Sequence, residues 1–268
     1  MENITNSFYR TSTLMAEASL KDGKTILTDK FYTQPFKLMK PFHIKKDIMT
    51  LMMQSSSAGI LAGDTQEITM TVNEGAKMEV TQQSFEKLHK MNGDAAKRDT
   101  TLSVKKNAFL KYFPLPTIPF FDSGFYATID CDLEDDTSEF VLLDILTGGR
   151  IAYGEEFVYR TYNSHIKVRK GGKLIYNDNA QYTPAETNMK ALGMYETYTH
   201  MANLLFFNMS DRAGDLEKIR FLIDEVAPRI EGGCSILQTG DTSVKLLGTS
   251  SQDLYDLCEK ICKEVTGY

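Results

Sequence analysis

The chain has 268 residues, 42% of them hydrophobic and 25% charged, a composition that supports a packed core and excludes intrinsic disorder. A formal charge of -6 and a pI near 5.4 argue against nucleic acid as the main partner, because phosphate contacts need a basic face. No apolar run approaches the roughly 18 residues needed to cross a bilayer. No secretory segment is read at Met1 to Asn6, and Cys131, Cys234, Cys258 and Cys262 form no CxxC pair, so a reduced, cytoplasmic protein with no membrane contact is expected.

Between Gln66 and Tyr112 apolar and polar residues alternate: Ile68, Met70 and Val72, a turn at Asn73-Glu74-Gly75, then Met78 and Val80. Period two interrupted by turn residues predicts strand, turn, strand. The unit recurs. Thr69-Met70-Thr71-Val72 returns as Thr101-Leu102-Ser103-Val104, and Ala76-Lys77-Met78 as Ala108-Phe109-Leu110, after a second turn at Lys105-Lys106-Asn107. Looser copies run from Ile129 to Leu143 around Asp135-Asp136-Thr137-Ser138, and from Ile166 to Tyr176 around Lys170-Gly171-Gly172-Lys173. Such units bury their apolar faces against one another, so the expected fold is mainly β: stacked β-hairpins in a solenoid-like or sandwich arrangement.

After Asn203 the period changes. Leu204 to Phe207 is a short apolar run, and from Asp211 to Arg229 the residues Leu216, Ile219, Ile223 and Val226 fall at helical spacing, with Pro228 near the end. Cys234 to Gln238 reads as a strand, Thr239-Gly240-Asp241 as a turn and Val244 to Leu247 as a second strand. Ser250 with Asp253 makes a capping box for a helix that turns Leu254, Leu257, Ile261 and Val265 inward. The expected organisation is a β-rich stacked-hairpin domain over residues 1–200 and a small α+β subdomain over 201–268, with two helices packed on its sheet.

Chemistry-bearing residues are sparse. His43, His89, His165 and His200 form no HxxxH or HExxH pair, and Cys258 and Cys262 flank a leucine-isoleucine stripe where free thiols act as small hydrophobes. No GxSxG, Walker loop or G-x-G-x-x-G is present, which removes the usual support for hydrolase, NTPase and dinucleotide-binding readings. Leu61-Ala62-Gly63-Asp64 reads either as an Asx-type turn or as a carboxylate presented by a tight turn.

Several segments, in order, resemble the UreD (UreH) family of urease accessory proteins. Tyr32 to Phe42, around Pro35-Phe36-Lys37, is similar to the family's early proline-phenylalanine-lysine stretch, and Ser57 to Asp64 to its glycine-rich loop, with Ala58 and Ala62 where many members carry glycine. Thr81 to Lys87 resembles the serine and lysine element, and Leu115 to Phe120 the proline strand. Most specific is Leu143 to Phe157, where Asp144, Gly149, Arg150, Gly154, Glu155 and Phe157 match the signature D-x-x-x-x-G-R-x-x-x-G-E-x-F.

The resemblance implies a non-enzymatic scaffold in a hetero-oligomeric complex, binding apo-urease, UreF and the GTPase UreG, with no tightly bound cofactor and nickel in transit. It places Asp64, Asp144 and Asp178 along a polar metal path, with Ser84, Lys87, Arg150 and Glu155 in structural or interaction roles. Spaced carboxylates and water suit an ion that must move on, whereas thiolates would hold it. Such carboxylates must line a wet cavity or pair with cations such as Arg150 or Lys87. A plainer alternative pairs Asp144 with Arg150 to fix a loop. Two further alternatives are a stand-alone β-fold enzyme using Asp64, Asp144 and Arg150, and a pure adaptor without a metal path.

Overall fold

The computed structural model describes residues 11–45, 47–209 and 212–268. The segment from Met1 to Asn6 and the expected helix start at Asp211 lie outside the described residues. Strands β1 (Ser12–Lys21) and β2 (Lys24–Tyr32) form a hairpin, and the short β3 (Phe36–Leu38) and β4 (Phe42–Lys45) lead into β5 (Ile48–Ser55). Next come β6 (Thr65–Val72), β7 (Lys77–Gln82) and the short β8 (Glu86–Leu88), then β9 (Ala96–Val104), β10 (Phe109–Tyr112) and the short β11 (Thr117–Pro119). Strand β12 (Gly124–Leu133) runs on to β13 (Glu139–Thr147), and β14 (Thr161–Lys170) pairs with β15 (Lys173–Tyr182). The tail carries β16 (His200–Phe207), α1 (Arg212–Asp224), β17 (Ile230–Ile236), β18 (Thr242–Gly248) and α2 (Ser251–Thr266), in the expected order β, α, β, β, α.

These strands build two sheets. Sheet A has seven strands in the order β15-β14-β12-β9-β6-β1-β2, and sheet B has eleven, along the path β17-β18-β16-β13-β10-β7-β5-β3. The repeated strand-turn-strand units stack as the sequence suggests, but the first three are arches rather than hairpins. In each, one strand enters sheet A and the next enters sheet B, so β6, β9 and β12 pair in parallel in one sheet while β7, β10 and β13 pair in parallel in the other. The sequence repeat is the stacking register: Thr69 lies beside Thr101, Met70 beside Leu102 and Met78 beside Leu110. The fourth unit, β14 with β15, is a true antiparallel hairpin that closes the stack. Side chains alternate across a strand, so an arch turns the apolar residues of both its strands toward the space between the sheets, which a flat hairpin does not do.

That space holds the main core, built from Leu14, Met70 and Leu102 on sheet A and Met78, Leu110 and Leu142 on sheet B. A second core lies on the outer face of sheet B, where Val141, Leu143, Leu204 and Leu246 meet the two helices. Strands β16 and β18 continue sheet B antiparallel from β13, with Asp144 beside Asn203 and Asn203 beside Lys245. Helix α2 starts as predicted, with the Ser250 hydroxyl accepting the N–H of Asp253 at 3.2 Å, and buries Leu254, Leu257, Cys258, Ile261 and Cys262. Helix α1 ends at Asp224, short of the predicted Arg229, and buries Ile219, Leu222 and Ile223.

Candidate functional site

Towards the end of the inter-sheet space opposite the arch turns, the inward positions change from apolar to polar. Along sheet A, Gln66 stands beside Arg98, Arg98 beside Ala127 and Ala127 beside Ser164. Across from them, sheet B presents Asp144, Asn203 and Lys245 in one row. This band lies between the main core and a smaller cluster formed by Ile60, Leu88, Met91 and Phe125, so its polar groups are enclosed by apolar walls.

Three adjoining cavities follow the band. The first, of about 20 Å³, is lined by Asp144, Ser164, Asp178, Asn203 and Lys245. The second, of about 40 Å³, shares Asp144, Tyr162 and Ser164 with the first and adds Gln82, Glu86 and Arg98. The third, of about 30 Å³, shares Gln82 and Glu86 with the second and reaches Ser84.

Each charged group in the band has a defined partner. Asp144 accepts the Ser164 hydroxyl at 2.8 Å. Burial pushes its carboxyl above the usual aspartate range; the nearby charge of Asp178 acts in the same direction, and the Ser164 hydrogen bond opposes them. Asp178 accepts the Lys245 ammonium at 3.1 Å and the Tyr176 hydroxyl at 3.2 Å. Arg98 donates to Glu86 at 2.5 Å and through two nitrogens to Gln66 at 2.6 and 2.8 Å, which cancels its charge inside the protein.

The residues singled out by sequence divide clearly. Asp144 and Asp178 come together in the first cavity, and Ser84 sits exposed at the third. Asp64 instead closes its own turn, its carboxylate accepting the N–H of Leu61 at 2.8 Å while its own N–H donates to Leu61 O at 3.2 Å; the bond runs back three residues and not forward two as in an Asx turn. Lys87 points outward from β8, since Glu86 takes the inward side there.

The pairing of Asp144 with Arg150 is not formed. Arg150 holds Glu155 by two hydrogen bonds, one of 2.8 Å from Nε to Oε2, and its guanidinium lies 4.1 Å from the centre of the Phe120 ring. Strand alternation explains the difference: Asp144 faces inward from β13, while the chain leaves the strand at Gly148 and turns outward before Arg150. Gly149, at φ +130, makes this turn possible, because a Cβ there would stand 2.5 Å from Glu155 O. The cations paired with carboxylates of the band are therefore Arg98, on Glu86, and Lys245, on Asp178, not Arg150 or Lys87; Asp144 has the Ser164 hydroxyl.

Arg98, Gln66, Asn203 and Lys245 were missed, although signals for them exist. Gln66 and Arg98 occupy the same repeat position, 32 residues apart, on the inward side of strands that are apolar farther along. Asn203 interrupts the apolar run from Met201 to Phe207. Among the described residues no three His, Cys, Asp or Glu side chains gather into a metal-holding group. Burial pushes the Cys131 and Cys258 thiols up, keeping them protonated in the two apolar cores. No helix of the described residues is long and apolar enough to cross a membrane.

Fold and site together define a β-rich scaffold whose interior offers oxygen donors along adjoining cavities. The comparisons with known proteins narrow this class. The UreD urease accessory protein family matches residues 11–267. Urease accessory protein UreD of Acetivibrio thermocellus is 36% identical over 259 residues, covering 96% of this chain and 97% of the relative. Urease accessory protein UreH of Helicobacter pylori is 33% identical over 262 residues, covering 97% of each. The chain belongs to the UreD urease accessory protein family.

Proposed function

We propose that this protein is a scaffold in urease maturation that binds apo-urease together with UreF and UreG and lets nickel pass through its interior toward the urease active site. The observation that carries this reading is the run of three cavities that share Asp144, Tyr162 and Ser164 at one junction and Gln82 and Glu86 at the next. Carboxylate, amide and hydroxyl oxygens dominate their polar lining, a donor set that suits a divalent cation retaining much of its water and leaving again. Asp144 lies at the junction of the first two cavities and is the central relay; Asp178 and Ser84 belong to the cavities at either end. Asp64 closes its turn and contributes to the fold.

The enzyme alternative loses its support, because its three residues lie apart: Asp144 inside, Asp64 in a turn and Arg150 paired with Glu155. The test is urease activation in cells carrying the full accessory set. Asp144→Leu should lower activation at least tenfold while affinity capture still recovers UreF and urease, and Asp64→Asn should activate like the wild type. Full activation by Asp144→Leu with the complex intact overturns the metal path.

A further inference from the structure

We propose that Asn92 is a self-modification site: the backbone nitrogen of Gly93 displaces ammonia from the Asn92 side chain, and water then leaves aspartate or isoaspartate in its place. The inference stands independently of the delivery role above.

The first support is a nucleophile and an electrophile that nothing holds apart. Asn92 and Gly93 lie in the bend between β8 and β9, and both are exposed. Among the described residues nothing accepts the Gly93 N–H and nothing bonds the Asn92 amide. Met91 and Lys97 on either side are tied down, donating their N–H groups to Asp122 O at 3.3 Å and Asp64 O at 2.8 Å. Asn92 is also the only asparagine of the chain that glycine follows. Gly93 has φ +106, and a Cβ there would meet nothing within 4 Å, so no neighbouring atom crowds the bend at this residue. The missing side chain leaves the Asn92 carbonyl carbon an unhindered approach to the nitrogen. Asn163, which Ser164 follows, is the opposite case: it lies in β14 between β12 and β15, and its amide donates to Asn179 Oδ1 at 2.9 Å.

The step is intramolecular, which replaces an encounter with a poised geometry. The Gly93 nitrogen gives its proton to hydroxide as it bonds to Asn92 Cγ, the Cγ–Nδ2 bond breaks, and ammonia leaves behind a five-membered imide. Water then opens the ring. Cleavage of the new N–Cγ bond gives aspartate, and cleavage of the original peptide bond leaves the chain running through Cγ as isoaspartate. Nothing is oxidised, and water is the only co-reactant. The second support is the setting: Gly93 lines an outer groove with Asp94, Lys97 and Arg160, and the two cations favour the anion that forms on the attacking nitrogen. The product carboxylate cancels the single positive charge that these three side chains leave. Isoaspartate also lengthens the main chain by one atom between Met91 and Ala96, both buried in the smaller apolar cluster.

The test is peptide-level mass spectrometry of the full chain held in mildly alkaline buffer, folded and unfolded in guanidinium chloride. Asn92 in the folded chain should convert within about threefold of its unfolded rate, because a bend without backbone hydrogen bonds opens at little cost. Asn163 should convert only when unfolded. Both aspartate and isoaspartate should appear at position 92, and Gly93→Ala should slow the conversion about tenfold in both states by crowding the attacking nitrogen. An Asn92 that keeps its amide in the folded chain and loses it in guanidinium overturns the inference. Aspartate without isoaspartate, or a Gly93→Ala chain that converts as fast as the wild type, overturns it as well, since either marks direct hydrolysis.

Discussion

On the outer face of sheet B, Thr50, Glu79 and Lys111 stand side by side on β5, β7 and β10; on the inner face, Asp144, Asn203 and Lys245 stand side by side on β13, β16 and β18. The outer row is closed. Lys111 is 1% exposed and donates to Glu79 at 2.7 Å and to both oxygens of Glu259 on α2 at 2.7 and 2.8 Å, and it lies over the Phe113 ring. The surrounding carboxylates hold its charge, its pKa raised despite burial. The inner row leaves Asn203 Oδ1 without a hydrogen bond and holds Asp144 through a neutral hydroxyl. Two polar rows on opposite faces of one sheet thus differ in closure: the outer one ties a helix to the fold through paired charges, and the inner one leaves an amide oxygen unpaired beside a cavity, which costs stability.

The comparison breaks first at Lys111. Lys111→Ala strands Glu79, whose side chain is 13% exposed, whereas Glu259 at 35% can turn to water. The expected loss is therefore near the lower end for breaking a buried pair, about 3 kcal/mol in urea denaturation. Pairing Lys111→Met with Glu79→Gln should recover most of it, because no buried charge is then left without a partner. A loss by Lys111→Ala no larger than that of a surface change would show that α2 is held by its apolar face alone.

A smaller effect on the same face tests the helix separately. Ser250→Ala removes the oxygen that accepts the Asp253 N–H at the start of α2 and should cost about 1 kcal/mol. A lowered midpoint with unchanged denaturant slope would identify a local cap. An unchanged midpoint would mean that packing of Leu254, Leu257 and Ile261 fixes the first turn without it.

The outer elements were the more legible ones. Helix α2 carries its cap, its apolar stripe and its turns in consecutive residues, so local spacing sufficed. The arches were legible as repeats, and Thr69 beside Thr101 reproduces the sequence offset. That the two strands of a unit enter different sheets was not legible, because alternation fixes which face is buried and says nothing about the partner strand. The same limit hid the site. The family resemblance points to Asp144 and Asp178, which share a cavity, and to Arg150 or Lys87 as cations, whereas Lys245 reaches Asp178 from β18 across 67 positions of chain. A carboxylate that satisfies a turn, as Asp64 does, looks in sequence like one offered to a metal.

Asp144→Asn sharpens the comparison from the inner face, with an expected stability change of opposite sign. The amide keeps the shape and can still bond Ser164. Because burial and the Asp178 charge raise the folded-state pKa of Asp144 above the unfolded value of about 3.9, the folded chain retains a proton that the unfolded chain has released. The stability linked to this proton is intact below the unfolded pKa and is lost as pH rises through the raised folded pKa. The Asn variant has no such loss. Its stability relative to wild type should therefore be flat in the most acidic range, rise in its favour through the window above about pH 4, and level off once the folded carboxyl has ionised. Urea denaturation across that range measures it. A variant that is destabilised at neutral pH would make Asp144 a structural residue like Lys111; one that is as stable as wild type or more, yet fails in nickel binding, would show a carboxylate kept at the expense of the fold for the ion it meets.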